Sequence, residues 1–155
     1  MSREIALQAL FSVEVGHRDP SEVLDEYLLS SADSAHRFFV QDLVLGTLSH
    51  AQESDRVIAP LLTDWTIERL PTIDRLLLRM AAFELKHRPD TPRPVVINET
   101  IELAKRFSTE DSGRFINGVL SSMIEGTSEE AGVPSATSSF AADRGARRKN
   151  SRSAM

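Results

Sequence analysis

Residues 95–120 read VVINETIELAKRFSTEDSGRFINGVL, and this stretch decides the fold. Val96, Ile97, Thr100, Ile101, Ala104 and Phe107 sustain a helical period. After the polar turn Ser108-Thr109-Glu110-Asp111-Ser112, rich in capping residues, Phe115, Ile116, Val119, Leu120 and Met123 sustain a second one. Two helices joined by a short turn account for this pattern. Asn98, Glu99, Glu102, Lys105 and Asn117 lie among the apolar positions, a density of polar groups that a plain core helix pair does not need.

Working outward, the same period recurs. Ala6, Leu7, Leu10 and Phe11 predict a first helix over 2–15, with Gly16 as its stop. Asp19-Pro20-Ser21-Glu22 is a helix start: Asp19 can cap and Pro20 suits the first turn. Ser34 is the expected cap of a longer third helix that continues or re-forms through Leu62, with a kink or break near Pro60. A short helical segment over 65–70 and a helix from Pro71 or Thr72 follow, before Pro89, Pro92 and Pro94 predict an extended loop. No segment alternates with period two between hairpin turns. The fold class is all-α, with about seven helices.

Composition narrows the function classes. At 155 residues, 41% apolar and 26% charged, this is the make-up of a globular domain. The absence of cysteine excludes disulfides and thiolate metal sites. No apolar run nears the roughly 20 residues of a membrane span, and the N-terminus lacks the pattern of a secretory signal, so a cytoplasmic location is expected. The net charge is −5, divided between −7 before residue 126 and +2 after it. Nucleic-acid contact by the folded part would therefore need a local basic patch. Residues 126–155, rich in Ser, Thr, Gly and Ala, are expected to be a disordered basic tail, leaving 1–125 as the domain.

The sequence carries no phosphate loop, GxSxG elbow or HExxH motif. His17, His36, His50 and His87 lie in different segments without i, i+4 pairing, so no metal cluster is expected. No catalytic residue and no cofactor is assigned. Recognition remains. Arg75 and Arg79 are four apart on one helix with Asp74 beside them, suited to phosphate or an acidic partner. Arg69 and Arg114 could join them in space. Phe38 and Phe39 cannot both face one core, which leaves one aromatic for an edge or a base.

Taken together, Arg3-Glu4, Ala6 to Phe11, Asp42-Leu43 with Gly46, Asp74-Arg75 with Leu78-Arg79 and Glu84-Leu85, Val96 to Glu99 with Glu102 to Lys105, and Phe115 with Asn117 to Leu120 resemble the NusB family of transcription antitermination factors. The likeness covers residues 3–124 in family order. It implies two small helical bundles, binding to boxA RNA of nascent ribosomal transcripts, and a heterodimer with the small-subunit ribosomal protein NusE. NusA, NusG and RNA polymerase complete the implied assembly, and some family members self-associate, so a homodimer is compatible with it. Arg3, Gln8, Arg75, Arg79 and Lys105 match positions of RNA contact, and Asp111 matches an acidic position in the turn before the last helix. Phe11 and Asp74 match the partner interface.

Gly46 and Gly118, inside helices at a cost of about 1 kcal/mol each, suit close helix crossings, and Asn98, Glu99 and Asn117 are expected to hold the last two helices together. One departure is that only Met1-Ser2 precede Arg3 where the family commonly has an arginine-rich segment. The expectation is an upstream start, substitution by the basic tail, or weaker RNA binding with a flatter salt dependence. The N-terminal domain of ribosomal RNA cytosine-5 methyltransferases is also similar, but Phe115 to Leu120 is closer to the free-standing factor. A protein-interaction or rRNA-processing module without sequence-specific RNA binding is the other reading.

Overall fold

The computed structural model describes residues 1–130, with side-chain environments through residue 126. The basic stretch Arg144–Arg152 of the expected tail lies outside the described residues. Seven α-helices run in the order α1 (Ser2–Gly16), α2 (Pro20–Leu28), α3 (Ser34–Ser49), α4 (Ala51–Ile58), α5 (Thr72–His87), α6 (Arg93–Phe107) and α7 (Glu110–Glu130), with no strand among the described residues. The chain divides into two compact units, residues 1–120 and 121–155. The described part of the second unit consists of the last turns of α7, which extend to Glu130, past the expected boundary at residue 125.

Within the first unit α5 is central. Leu76, Leu77, Leu78, Met80, Ala81, Ala82 and Phe83 are all buried, so this helix is apolar nearly all round, as a helix enclosed by others must be. It packs against α1, α3, α4 and α6. α1, α2 and α3 pack on one another as one small bundle, and α4, α5 and α6 form the second, joined where α1 and α3 meet α5. Gly46 is what allows α3 to come so close: a methyl group there would sit 2.0 Å from Cζ of Phe83. Gly118 has no such neighbour within 4 Å among the described residues, so the expected second crossing is not found there.

The local chemistry of the helix ends explains several shifted boundaries. Asp19 caps α2 as expected, accepting from the backbone N–H groups of Ser21 at 3.1 Å and Glu22 at 3.3 Å. α3 is capped by Asp33 rather than Ser34, its carboxylate accepting from Ala35 at 3.0 Å. A carboxylate at this position also opposes the positive end of the helix dipole, which a hydroxyl does not. α1 ends one residue later than expected, with His17 in the left-handed conformation at φ 51°. The long third helix breaks twice, at His50 and again where Pro60 enters a short 3-10 turn over Ala59–Leu61. The expected loop at Pro94 is instead the first turn of α6, where a proline loses no intrahelical bond.

Candidate nucleic-acid and partner interface

Within the first unit, α1, α5, α6 and α7 are linked in turn by four contacts that form a closed circuit. Arg106 of α6 donates to Glu4 of α1 through Nη1 at 2.7 Å and Nη2 at 3.4 Å. Gly113 of α7 presents its backbone to the Lys105 stem, since a β-carbon there would lie 3.3 Å from Lys105 Cγ. Ser112 Oγ donates to Asp74 Oδ2 of α5 at 2.9 Å. Arg75 of α5 pairs with Glu14 of α1, closing the circuit. Gln8 and Phe11 lie on α1 between Glu4 and Glu14, and Asp111 lies beside Ser112.

The turn between α6 and α7 is built by its own hydroxyls. Thr109 Oγ1 accepts from the backbone N–H of Ser112 at 3.0 Å, capping α7, and the Ser108 and Ser112 hydroxyls lie 2.8 Å apart. Ser112 is therefore buried and passes the turn's position on to Asp74. Asp74 is itself buried, and its Oδ1 has no hydrogen-bond partner among the described residues. Its place in the first turn of α5 lets the helix dipole stabilise the carboxylate.

The site residues expected from sequence divide by environment. Phe11 is 38% exposed, Gln8 is half-buried, and Lys105 and Asp111 are exposed. Lys105 makes only a long pair with Glu102 at 3.9 Å, and Asp111 pairs with Arg114 on the open surface. Arg3, Arg75 and Arg79 are committed to internal pairs. Arg3 is gripped by Glu84 and lies over the Phe39 ring at 5.0 Å, while Phe38 is left exposed. Arg79 donates to both oxygens of Asp55 at 2.8 Å and lies 3.7 Å from Glu14. Arg75 also donates to the Leu70 carbonyl at 3.2 Å. The Glu84 hydrogen bond, outweighing burial, raises the Arg3 guanidinium above its ordinary range.

Asn98, Glu99 and Asn117 are exposed, so the expectation that they hold α6 and α7 together is corrected. Gly113 of α7 lies against the Lys105 stem of α6 instead, whereas Arg106 ties α6 to α1. The residues that sequence reasoning missed are the acids Glu14, Asp55 and Glu84 together with Ser112. Glu84 left one trace: it is a charged residue in an apolar position of the α5 period.

Among the described residues the interlocked helices expose an aromatic and a few charges, the groups that a recognition surface uses. The chain belongs to the NusB family, whose model matches residues 1–125. It is 40% identical to the transcription antitermination protein NusB of Symbiobacterium thermophilum, over 88% of this chain and 95% of that one. With the corresponding protein of Halalkalibacterium halodurans it is 43% identical, over 81% and 92% of the two chains. T. maritima NusB superposes with a TM-score of 0.75 at 34% identity, covering 80% of this chain and 88% of that one. A chain of the crystal structure of antitermination factors NusB and NusE in complex with dsRNA superposes with a TM-score of 0.74 at 25% identity, covering 81% of this chain and 94% of that one. None of the described helices is long and apolar enough to cross a membrane.

Proposed function

We propose that this chain is a transcription antitermination factor that binds boxA RNA of nascent ribosomal transcripts as a heterodimer with the small-subunit ribosomal protein NusE. It acts in the cytoplasm, catalyses no reaction, and joins NusA, NusG and RNA polymerase in the larger assembly. Residues 1–125 form the binding domain and the basic tail adds nonspecific phosphate attraction. The observation that carries this reading is the interlocking of α1, α5, α6 and α7. Gln8, Lys105 and Asp111 offer polar contacts to RNA and Phe11 offers the anchor for the protein partner, while the buried Asp74 supports the α6–α7 turn through Ser112.

The electrostatics favour a shared RNA site. With Arg3, Arg75 and Arg79 already paired to Glu84, Glu14 and Asp55, few cations remain unneutralised around this circuit. The chain alone therefore binds RNA weakly, and the ribosomal partner supplies much of the phosphate contact. Arg3, Arg75 and Arg79 act first as internal ties and contribute to RNA binding through their residual field. A reconstituted transcription reaction with a boxA leader tests the function. Adding this protein with its partner should raise read-through of a downstream terminator, and equal read-through from a scrambled leader would refute the reading.

A further inference from the structure

His50 separates α3 from α4, Glu53 follows within the first turn of α4, and His87 is the last residue of α5. Folding brings the two imidazoles to 4.2 Å between ring centroids. Nε2 of His87 lies 3.2 Å from Oε1 of Glu53. One ligand atom from each of the three residues lies within 4.8 Å of the other two. The expectation that the histidines do not cluster is thereby corrected: the sequence separation concealed a meeting of helix ends.

The surrounding bonds prepare these atoms for a metal ion. Nδ1 of His50 is 2.9 Å from the Gly46 carbonyl, and because a carbonyl only accepts, Nδ1 carries the proton. In the neutral ring Nε2 then keeps its lone pair, and a backbone carbonyl on the far nitrogen is the usual outer partner of a metal-binding histidine. The Ser49 hydroxyl lies 3.1 Å from the same Nδ1. Lys86 Nζ sits 2.9 Å from the other Glu53 oxygen, Oε2, and leaves Oε1 toward His87. Metal–ligand bonds of about 2.0–2.2 Å in a tetrahedron require ligand atoms about 3.3–3.6 Å apart, so the His87–Glu53 spacing needs little adjustment. Both imidazoles line an open groove of about 900 Å³, which gives access for the ion and an exogenous fourth ligand.

We propose that His50, Glu53 and His87 form a binding site for a divalent transition-metal ion, with zinc the best match to two imidazoles and one carboxylate. The ion fastens the α3–α4 corner to the C-terminal end of α5. Asp74 and His87 lie at opposite ends of α5, about 20 Å apart along its axis at 1.5 Å per residue. The metal site is thus separate from the circuit of contacts that runs through Asp74, and its fate does not depend on RNA binding.

Titration of the EDTA-treated, dialysed full chain with zinc chloride at neutral pH, followed by calorimetry, tests the site. We expect saturable binding of one zinc ion per chain, no comparable binding of magnesium, and zinc affinity weakened about 10-fold or more in His87→Gln and Glu53→Gln. His36→Gln, at a histidine outside the cluster, should bind as the unsubstituted chain does. No saturable binding, or unchanged affinity in His87→Gln and Glu53→Gln, would overturn the proposal. If those variants do not fold, imidazole resonances of the unsubstituted protein decide the matter. Zinc should shift those of His50 and His87, and shifts confined to His17 and His36 would overturn it.

Discussion

Arg3 grips Glu84 with two parallel hydrogen bonds, Nε to Oε1 at 2.8 Å and Nη2 to Oε2 at 2.7 Å, across the junction of α1 and α5. The Glu84 side chain is only 2% exposed. Removing one partner leaves a buried, uncompensated carboxylate. Arg3→Ala should therefore lose about 3–5 kcal/mol of unfolding free energy. The paired replacement Arg3→Met with Glu84→Leu should recover much of that loss, because the desolvation penalty disappears with the charges. Urea denaturation of both variants checks this. A loss below about 1 kcal/mol in Arg3→Ala would show that water reaches Glu84.

Gly46 and Gly118 should respond to alanine in opposite directions. At Gly46 the added methyl meets the Phe83 ring at 2.0 Å, and overpacking of this kind costs about 1–3 kcal/mol, more than the helix propensity returns. At Gly118 nothing among the described residues lies within 4 Å, so Gly118→Ala should stabilise the chain by about 1 kcal/mol. Thermal unfolding of the two single variants gives the signs directly.

Lys105 and Arg79 test the proposed division between recognition and scaffolding. Lys105 is exposed and weakly paired, whereas Arg79 is bound to Asp55. Lys105→Ala should weaken RNA binding and lower the slope of log affinity against log salt by about 1, with little effect on stability. Arg79→Ala should do the reverse, losing stability while nearly preserving the slope. Anisotropy titrations over a salt series, together with urea denaturation, measure both.

The class of fold was legible because helical periodicity reports burial, and α5 carries that signal almost without interruption from Leu76 to Phe83. The Asp19 cap was legible for the same kind of reason, since its chemistry is local. What could not be read were relationships between distant residues. Arg3 with Glu84, Arg79 with Asp55 and His50 with His87 pair across helices, and nothing in the one-dimensional pattern distinguishes an arginine aimed at phosphate from one aimed at a buried acid. Asn98 and Asn117 misled for a related reason: a polar residue amid apolar ones suggests a buried hydrogen bond, yet both face outward.

Phe11 is the side chain proposed to anchor the protein partner. It is 38% exposed on α1, next to the Arg75–Glu14 pair that fixes the helix against α5. Phe11→Ala should weaken binding of the ribosomal partner by about 10-fold or more, as loss of an aromatic anchor does. Its unfolding free energy should fall by less than the roughly 3–5 kcal/mol of a fully buried phenylalanine. Calorimetric titration with the partner, alongside denaturation of the free chain, distinguishes the two effects.

The central claim is partner-assisted, sequence-selective RNA recognition, and the most direct measurement is the affinity of the chain for fluorescent boxA RNA and for a scrambled RNA of equal length. Both are titrated at one physiological salt concentration, with and without saturating NusE. The account predicts weak binding to both RNAs by the chain alone. With the partner present it predicts boxA bound about 10-fold or more tightly than the scramble, a difference of about 1.4 kcal/mol. Equal affinities for the two RNAs with the partner bound would contradict it.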